Sequence, residues 1–585
     1  MKNLQLLFVL FLFFTARMAI AQEFHVTDPA SFQAALTAAQ ANGEDDIILV
    51  APGTYNISSP LYYGSNDGDG MLTITAEDPA NMPVLDGGNS ASLLVINNDV
   101  NNNQSGDTND DINIMYLVFQ RGQSPNGNNG GGLAIITGQA NINMDTCYFF
   151  ENFAGGSGGG MAVRSSSGAI TVRNCRATSN SALNYGGGMA VRSSSGPVSI
   201  SSTRLSLNAA GNAGGGTFVF NYSGVVEIRQ NEFNNNSVNT SNPDTGGGGL
   251  AVFSVSSLIV VAENTFSDND VGRRGGAARI GTQGGGAVNI LNNTFTGNSA
   301  GGKAGALSAG TYGQDIVTIS GNVFLNNRAG DDGGGLFVTL DISPTIPGST
   351  GDGAAMVSNN VFYGNSAGDK GGAFKFRSYH GLVDITNNTA TGNNAVYGGG
   401  LNVKLIYDDA AANIYNNIIY GNTAGSSGND VFINSDAEPD QNGNWVGNGT
   451  GSPVSFFNND IGPNNDNFSG NSADLLITNR DNYTHGNNID YDPALTAPGN
   501  GDFHLQPASL CINAGFNNAP GIPDTDFEGD PRIINGTVDI GADETFGQQV
   551  LSPVPVMGHW GLILLGLLLT FSSFYYLKHM ENLSA

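Results

Sequence analysis

An apolar residue followed three positions later by asparagine recurs between about residue 110 and residue 425. Successive copies lie 28 to 38 residues apart, and most lie 28 or 29 residues apart. The ten pairs are Phe149 and Asn152, Ala177 and Asn180, Leu205 and Asn208, Phe233 and Asn236, Phe266 and Asn269, Phe295 and Asn298, Phe324 and Asn327, Phe362 and Asn365, Ala390 and Asn393, and Ile419 and Asn422. A period of this length indicates a repeat architecture.

Two alternating apolar pairs accompany most copies of this motif. One pair precedes the apolar position by seven and five residues, as Val198 and Ile200 precede Leu205. The second pair follows a run of glycines, as in Leu336 and Val338. Because such alternation is typical of strands with one buried side, we expect the residue between the two members of a pair to face away from the core.

A unit of two or three short strands cannot bury its own apolar side, so it is stable only when it stacks on copies of itself. A period near 28 residues suits one turn of a parallel β-helix. Stacked asparagines at one bend then form a ladder of side-chain amides, and the glycine runs let the next bend close without Cβ clashes. The pattern predicts an all-β parallel β-helix over residues 111–425.

The pairing of an FxxN motif with a Gly-Gly-aliphatic motif resembles the repeats of polymorphic outer-membrane proteins and other pectin-lyase-like proteins. Phe324 to Asn327, followed by Gly334 to Leu336, is one example. The resemblance covers about 300 residues and implies a right-handed parallel β-helix. It says little about activity, because this fold carries lyases, hydrolases and adhesins alike.

The segment 22–110 predicts a cap and the first turns of the β-helix. Asp28 and Pro29 are suited to start a helix, and Gly43 is suited to end it. The apolar stripe between them consists of Phe32, Ala35, Leu36 and Ala39. We expect this helix to cover the first turn and protect an otherwise exposed sheet end.

Composition and charge exclude several classes of protein and of binding partner. Glycine supplies 84 of 585 residues and charged residues only 12%, which excludes an ordinary helical enzyme. The glycines lack the three-residue period of collagen. A net charge of −29, with 21 Lys and Arg spread along the chain, argues against a nucleic-acid partner.

The start of the chain predicts export. Lys2, an apolar run, and the small residues Ala19 and Ala21 are typical of a secretory signal peptide over residues 1–21 with cleavage after Ala21. Near the other end, the mostly apolar stretch of 18 residues from Trp560 to Leu577 predicts a transmembrane helix. Together these segments would place the body of the protein outside the cell.

The segment 554–585 resembles the IPTL-CTERM sorting signal, on the strength of Pro555, Trp560 and Gly561. The resemblance implies recognition by an exosortase-type membrane transpeptidase in a Gram-negative bacterium, with the protein held in the cell envelope, at the surface, or released. A plain membrane anchor is the alternative, because the residues between Pro555 and Trp560 depart from the commoner ones.

The region 426–547 ends in two acidic runs, Asp524 to Arg532 and Val538 to Glu544, that resemble the choice-of-anchor Q domain. That resemblance names no reaction. Within the first run, the candidate metal ligands Asp524, Asp526 and Asp530 offer oxygens to a hard cation such as Ca²⁺. The alternative is an acidic surface turn without a cofactor.

Catalytic residues are hard to find in this chain. Asp331, Asp332 and Lys370 are the candidates, because a cleft containing all three can be constructed from neighbouring bends, but all three also fit solvated turns. The six histidines show neither a Ser/His/Asp grouping nor zinc-ligand spacing. The sequence therefore favours a protein without a catalytic site.

Cys147 and Cys175 are 28 residues apart and share one register, so they are predicted to stack in adjacent turns within reach of a disulfide. Oxidation outside the cytoplasm permits the bond. Two small buried residues in the stack are the equal alternative.

These observations predict a secreted or cell-surface β-helix protein that binds polysaccharide or another cell through its variable outer faces, without catalysis. The alternative is a polysaccharide lyase or glycoside hydrolase on the same fold. A groove in which several carboxylates and bases converge from neighbouring turns would favour the enzyme.

Overall fold

The computed structural model describes residues 21–545, except 41, 43, 65–69, 100–110, 126, 240–245, 314, 341–352, 436–437, 440–444, 447–450 and 465. Most of the predicted signal peptide, including Ala19, lies outside the described residues. So do the sorting motif Pro555, Trp560 and Gly561 and the predicted transmembrane helix. None of the helices in the described ranges has the length and hydrophobicity that a membrane span requires.

The chain winds into a right-handed parallel β-solenoid, in which each complete turn adds one strand to each of up to four sheets. The first sheet has 16 strands. They are Gln22–Val26, Asp46–Val50, Leu72–Ala76, Ile112–Met115, Ile142–Asp145, Ile170–Arg173, Val198–Ser201, Val226–Arg229, Ile259–Ala262, Val288–Leu291, Ile316–Ser320, Ala354–Ser358, Leu382–Thr386, Ala411–Tyr415, Val454–Phe457 and Tyr483–Gly486.

The second sheet follows the first after one sharp bend and has 14 short strands. They are Thr54–Asn56, Val84–Asp86, Val118–Gln120, Tyr148–Phe150, Arg176–Thr178, Arg204–Ser206, Glu232–Asn234, Thr265–Ser267, Thr294–Thr296, Val323–Leu325, Val361–Tyr363, Thr389–Thr391, Ile418–Ile419 and Asp460–Ile461.

The third sheet is narrow and has 11 strands. They are Gln123–Ser124, Phe153–Ala154, Ser181–Ala182, Ala209–Ala210, Ser237–Val238, Asp270–Val271, Ser299–Ala300, Arg328–Ala329, Ser366–Ala367, Asn394–Tyr397 and Thr423–Ser427.

The fourth sheet follows the glycine runs and has 14 strands. They are Leu61–Gly64, Leu94–Asn97, Leu133–Thr137, Met161–Ser165, Met189–Ser193, Thr217–Asn221, Leu250–Ser254, Ala278–Thr282, Leu307–Thr311, Leu336–Leu340, Phe374–Ser378, Leu401–Leu405, Val431–Asn434 and Leu475–Thr478.

Equivalent residues of successive turns pair in register, so side chains of one kind stack on each other through the core. Alternate residues of each strand point inward, and the apolar residues of the FxxN motif are fully buried. Phenylalanine rings of neighbouring turns stack nearly parallel, as for Phe266 and Phe295, whose centroids are 4.9 Å apart. The predicted self-stacking of the repeat is confirmed.

The predicted amide ladder is also confirmed, at the bend after the second sheet. Asn298 donates from its side-chain Nδ2 to Phe266 O at 3.0 Å and to Asn327 Oδ1 at 3.0 Å. Its own Oδ1 accepts the backbone N–H and the side-chain amide of Asn269 at 3.0 and 2.9 Å. Each buried amide is therefore both donor and acceptor, which removes the cost of leaving it unpaired.

The glycine run before the fourth sheet is needed for close packing of turns. Gly186 has a φ of 63°, and a Cβ on Gly187 would lie 2.3 Å from Ala209 O in the next turn. The bend therefore accepts no larger residue at these positions.

The one α-helix of the described ranges, Pro29–Ala39, begins as predicted, because the Asp28 side chain accepts the N–H groups of Ala30 and Ser31. Its predicted apolar stripe is buried in the core of the first turns. The helix ends at Ala39, and Gly43 lies outside the described residues.

After the last turn, the chain folds back along the bend between the first and second sheets. It contains the antiparallel strands Leu495–Ala497 and Asp502–Leu505 and the 3₁₀ turn Pro498–Asn500. A further antiparallel pair, Glu438–Pro439 and Trp445–Val446, and the 3₁₀ turn Asp466–Phe468 lie earlier in the chain. We call residues 487–545 the C-terminal segment.

Asparagines at the bend fasten this segment to the solenoid. Asn387 Nδ2 donates to Asp539 O at 2.9 Å, and Asn458 Nδ2 donates to Ala514 O at 3.1 Å. Asn416 both donates to and accepts from the Phe516 backbone. These three asparagines have φ values of 54° to 56°, a left-handed conformation that asparagine tolerates.

Candidate functional site

A groove of about 640 Å³ lies on the outer face of the fourth sheet. Its central depression follows from two stacked glycines, Gly281 and Gly310, at outward positions of the paired strands Ala278–Thr282 and Leu307–Thr311. The flanking turns carry Phe253 beside Gly281 and Thr339 beside Gly310. The two glycines have no side chains, whereas Phe253 and Thr339 on either side of them do. The surface between these larger residues is therefore concave.

Cationic side chains are concentrated in this groove. Its lining includes five of the 21 lysines and arginines of the chain and no carboxylate from the described residues. The five cations are Arg192, Arg274, Arg279, Lys303 and Arg377. In a protein with a net charge of −29, this is a local reversal of sign.

Aromatic rings lie beneath and between these cations. They are Tyr185, Phe218, Phe220, Phe253, Tyr312 and Phe337. Arg279 lies 5.2 Å from the Phe253 ring centroid, and Lys303 lies 5.2 Å from that of Phe337. Such cation–π contacts hold the charged groups over the rings, so the groove presents positive charge on an apolar base.

The predicted catalytic residues come together at one edge of this groove. Asp331 and Asp332 lie in the bend before Leu336–Leu340, and Lys370 lies in the same bend one turn later. Lys303, which lines the groove, forms ion pairs with both aspartates. Its Nζ lies 2.6 Å from Asp332 Oδ2 and 3.5 Å from Asp331 Oδ2. Lys370 forms an ion pair with its neighbour Asp369.

Lys375 adds a buried base to this cluster. Its side chain is 7% exposed, and its Nζ donates to Asn402 Oδ1 at 3.0 Å and lies 3.6 Å from Asp332 Oδ1. Burial lowers the pKa of Lys375 to about 8, against the opposing attraction of Asp332. Asp332 Oδ1 has no hydrogen-bond donor among the described residues.

Lys375 also refines a prediction about the outer face. The residue between the two apolar members of a strand does point away from the core, but Phe337 and Lys375 at this position are only 2% and 6% exposed. Neighbouring side chains cover them at the rim of the groove, including Arg274 and Lys303 over Phe337.

Carboxylate oxygens of Asp331, Asp332 and Asp369 lie within 4.8 Å of one another, a spacing that could hold a cation. Lys303 and Lys370 already form ion pairs with these carboxylates and neutralise their charge.

The candidate calcium ligands do not form such a group. Asp526 Oδ1 accepts backbone N–H groups of Glu528, Gly529 and Asp530, and its Oδ2 accepts that of Glu544. Asp526 thus closes a turn with its side chain, while Asp524 and Asp530 are exposed. Among the described residues, ligand atoms of the three do not converge within 4.8 Å.

Cys147 and Cys175 are buried in adjacent turns as free thiols. They occupy a second ladder, in which the Cys147 N–H donates to Cys175 Sγ at 3.4 Å and the Cys175 N–H donates to Thr203 Oγ1 at 3.3 Å. From Asn231 onward, asparagines fill the same position in the following turns. The Cys175 thiol therefore serves as an acceptor in this ladder, while the Cys147 thiol donates to Ile114 O at 3.4 Å.

Sequence reasoning did not identify the groove. Arg192, Arg279 and Arg377 are separated by about 90 residues or more, and only the paired register of the fourth sheet places them on one face. The sequence does contain a signal for the groove. When the repeats are aligned on their glycine runs, the outward-facing positions of successive turns fall in the same columns. The basic and aromatic residues of the groove then fall in a few columns.

No protein-family model matches the chain, and no curated protein matches it at a significant level. The resemblances in the repeats, the C-terminal region and the sorting motif accordingly stay predictions.

Proposed function

We propose that this protein is a cell-surface or secreted β-solenoid that binds an anionic polysaccharide in the groove of the fourth sheet. The observation that carries the proposal is the concentration of four arginines over aromatic rings on a strongly acidic protein, with Lys303 beside them in its ion pair with Asp332 and with no carboxylate among the described residues of the lining.

Each component of the groove matches a part of such a ligand. Guanidinium groups bind carboxylate or sulfate groups with paired hydrogen bonds. Aromatic side chains offer apolar surfaces on which sugar rings can pack. The strands from Thr217–Asn221 to Phe374–Ser378 span about 24 Å at the usual strand spacing, which suits several consecutive sugar units.

Export and anchoring belong to the same proposal. A signal peptide at residues 1–21 would direct the chain across the inner membrane of a Gram-negative bacterium. An IPTL-CTERM-like signal at 554–585 would present it to an exosortase-type enzyme. We further propose that the helix Pro29–Ala39 covers the first turn and that the C-terminal segment is a choice-of-anchor Q-like region.

A polysaccharide lyase is the second candidate, and one observation favours it. Lys375 has a pKa near 8, so a fraction of this amine is neutral at physiological pH and could act as a base. Its ion-pair partner Asp332 lies beside the groove residue Lys303. Binding without turnover is favoured because Lys375 is 94% buried and does not line the groove.

The test uses affinity measurements on immobilised polygalacturonate, alginate and chondroitin sulfate, with dextran as the neutral comparison. We expect binding to the anionic polymers that weakens as salt rises, since exposed charges are screened. Arg279→Gln should weaken binding about tenfold. Gly281→Tyr, which fills the depression, should abolish it.

Arg204→Gln is the matched control, because Arg204 lies on the second sheet in an exposed ion pair with Glu232. This variant should bind like the parent. The groove would not be the binding site for anionic polysaccharide if dextran bound as well as the anionic polymers. The same conclusion would follow if Arg204→Gln and Arg279→Gln lost equal affinity. Formation of unsaturated products by the parent, and its loss in Lys375→Met, would establish the lyase instead.

A further inference from the structure

A second polar cluster lies far from the groove residues in sequence, within the C-terminal segment. The strand Asp502–Leu505 places His504 between buried Phe503 and Leu505, so its imidazole projects outward. The loops around Glu528 and Asp543 lie against the same strand. Three stretches separated in sequence thus meet at one imidazole.

The geometry of this cluster is that of a ligand set. One ligand atom each from His504, Glu528 and Asp543 lies within 4.8 Å of the other two. His504 Nε2 is 2.7 Å from Glu528 Oε2. Its other nitrogen, Nδ1, is 2.7 Å from Asp502 Oδ1, which fixes the orientation of the ring.

Asp543 distinguishes this cluster from an ordinary surface ion pair. The residue is only 3% exposed, and its Oδ2 accepts the Leu505 N–H at 2.8 Å. This backbone hydrogen bond holds the Asp543 carboxylate against the strand that carries His504, so a buried acid and an exposed histidine are positioned by the same strand.

We propose that His504, Glu528 and Asp543 bind a divalent transition-metal ion of the Zn²⁺ class. One imidazole nitrogen and two carboxylate oxygens are ligands that this class accepts. Donor atoms in a tetrahedral zinc site are about 3.3 Å apart, so small side-chain movements suffice. Asp502 would act as the carboxylate that orients a metal-bound histidine.

The ion would fasten the loops that contain Glu528 and Asp543 to the strand Asp502–Leu505. Three protein ligands leave a fourth position for water. The site is independent of the groove, so loss of metal binding would leave polysaccharide binding unchanged.

The test is calorimetric titration of the metal-free full chain with Zn²⁺, followed by visible absorption with Co²⁺ in its place. We expect one tight site per chain and a Co²⁺ spectrum of low-coordinate, nitrogen- and oxygen-ligated metal. His504→Gln and Glu528→Gln should each weaken binding at least about tenfold. Both residues are about half exposed, so these variants should fold.

His25→Gln is the matched control, because His25 is also exposed and pairs with a single carboxylate, that of Glu77, at 3.4 Å. This variant should retain the tight site. The proposal is overturned if the parent binds no Zn²⁺ more tightly than about 1 mM. It is equally overturned if His504→Gln leaves the tight site intact, or if His25→Gln removes it.

Discussion

The middle turns and the C-terminal part of the molecule bury different kinds of polar groups. Between residues 140 and 310, the buried polar side chains of the described residues are all Asn, Ser or Thr. From residue 423 onward, eight ionisable side chains are buried among the described residues: Asp430, Asp460, Asp474, Asp526, Arg532, Asp539, Asp543 and Glu544. The difference follows from repetition, because each stacked amide finds an identical partner above and below it.

Asp430 marks the boundary between the two regimes. Its Oδ1 accepts the backbone N–H and the side-chain amide of Asn422, the last asparagine of the ladder, each at 2.9 Å. Its Oδ2 accepts the Gly462 N–H at 2.9 Å. A carboxylate only accepts, so it suits the end of a ladder, whereas an amide that also donates is needed inside it.

The largest effect is expected when an aspartate, the residue that ends the ladder, replaces an asparagine in the middle of the ladder. Asn298→Asp removes the donations to Phe266 O and Asn327 Oδ1 and places a carboxylate beside the latter. We expect the free energy of unfolding to fall by about 4 kcal/mol, since two buried acceptors lose their donor and a carboxyl group is buried next to an amide oxygen. Chemical denaturation followed by circular dichroism measures the change.

Asn289→Asp controls for the chemical change alone, because Asn289 is half-buried on the outer side of the first sheet. Its stability should stay close to that of the parent. A similar loss of unfolding free energy in Asn298→Asp and Asn289→Asp would show that the ladder position is no more sensitive than the surface.

The second prediction concerns the buried charge of the C-terminal segment. Arg532 is 1% exposed, donates to Gly541 O, Ala542 O and Asn359 Oδ1, and lies 3.7 Å from Glu544. Arg532→Gln leaves several of these acceptors unpaired. We expect local destabilisation of about 3 kcal/mol, seen as faster proteolysis and hydrogen exchange in residues 487–545.

Protection of the middle turns should not change in this variant, because neighbouring repeats hold them. Arg204→Gln, which removes an exposed arginine, should leave proteolysis of the C-terminal segment unaltered. Uniform loosening of the whole chain by Arg532→Gln would show that the two regions unfold as one.

The third and smallest effect is a pH dependence confined to the last turns. Burial, together with the nearby acidic groups Asp430 and Asp490, raises the pKa of Asp460 to about 8. The folded state keeps this proton while the unfolded chain releases it near pH 4. The resulting stability is complete below pH 4 and is lost as the pH rises to about 8.

We expect a loss of order 1 to 3 kcal/mol between pH 5 and 8 in hydrogen-exchange protection around strand Asp460–Ile461. Asp460→Asn should flatten this profile, because an amide does not titrate. Asp270→Asn, at an exposed position of the third sheet, should keep the slope. A slope that survives Asp460→Asn would assign the titration to another group.

Much of the fold was predictable because its signal is periodic. The FxxN apolar residues, the amide ladder and the helix start at Asp28 all lie where the sequence placed them. The second ladder was missed, although Asn293 and Asn322 recur two residues before Phe295 and Phe324. Its presence explains why two cysteines share one register without requiring a bond.

The candidate site was predictable only in part. Asp331, Asp332 and Lys370 do meet at one bend, because stacking brings equivalent bends together. Their ion-pair partners Lys303 and Lys375 come from other turns and neutralise them. The three candidate calcium ligands share a short loop, yet the side chain of Asp526 closes that loop through the backbone.

The sequence by itself determined the stacked solenoid and the inward side of each strand, because each repeat encodes the same local pattern and copies pack only on one another. The tertiary structure alone decided the outer surface. Turns of 28 to 38 residues keep the core in register while their outward residues vary freely. Which cations, rings and carboxylates become neighbours there depends on pairing across turns and on the return path of the C-terminal segment.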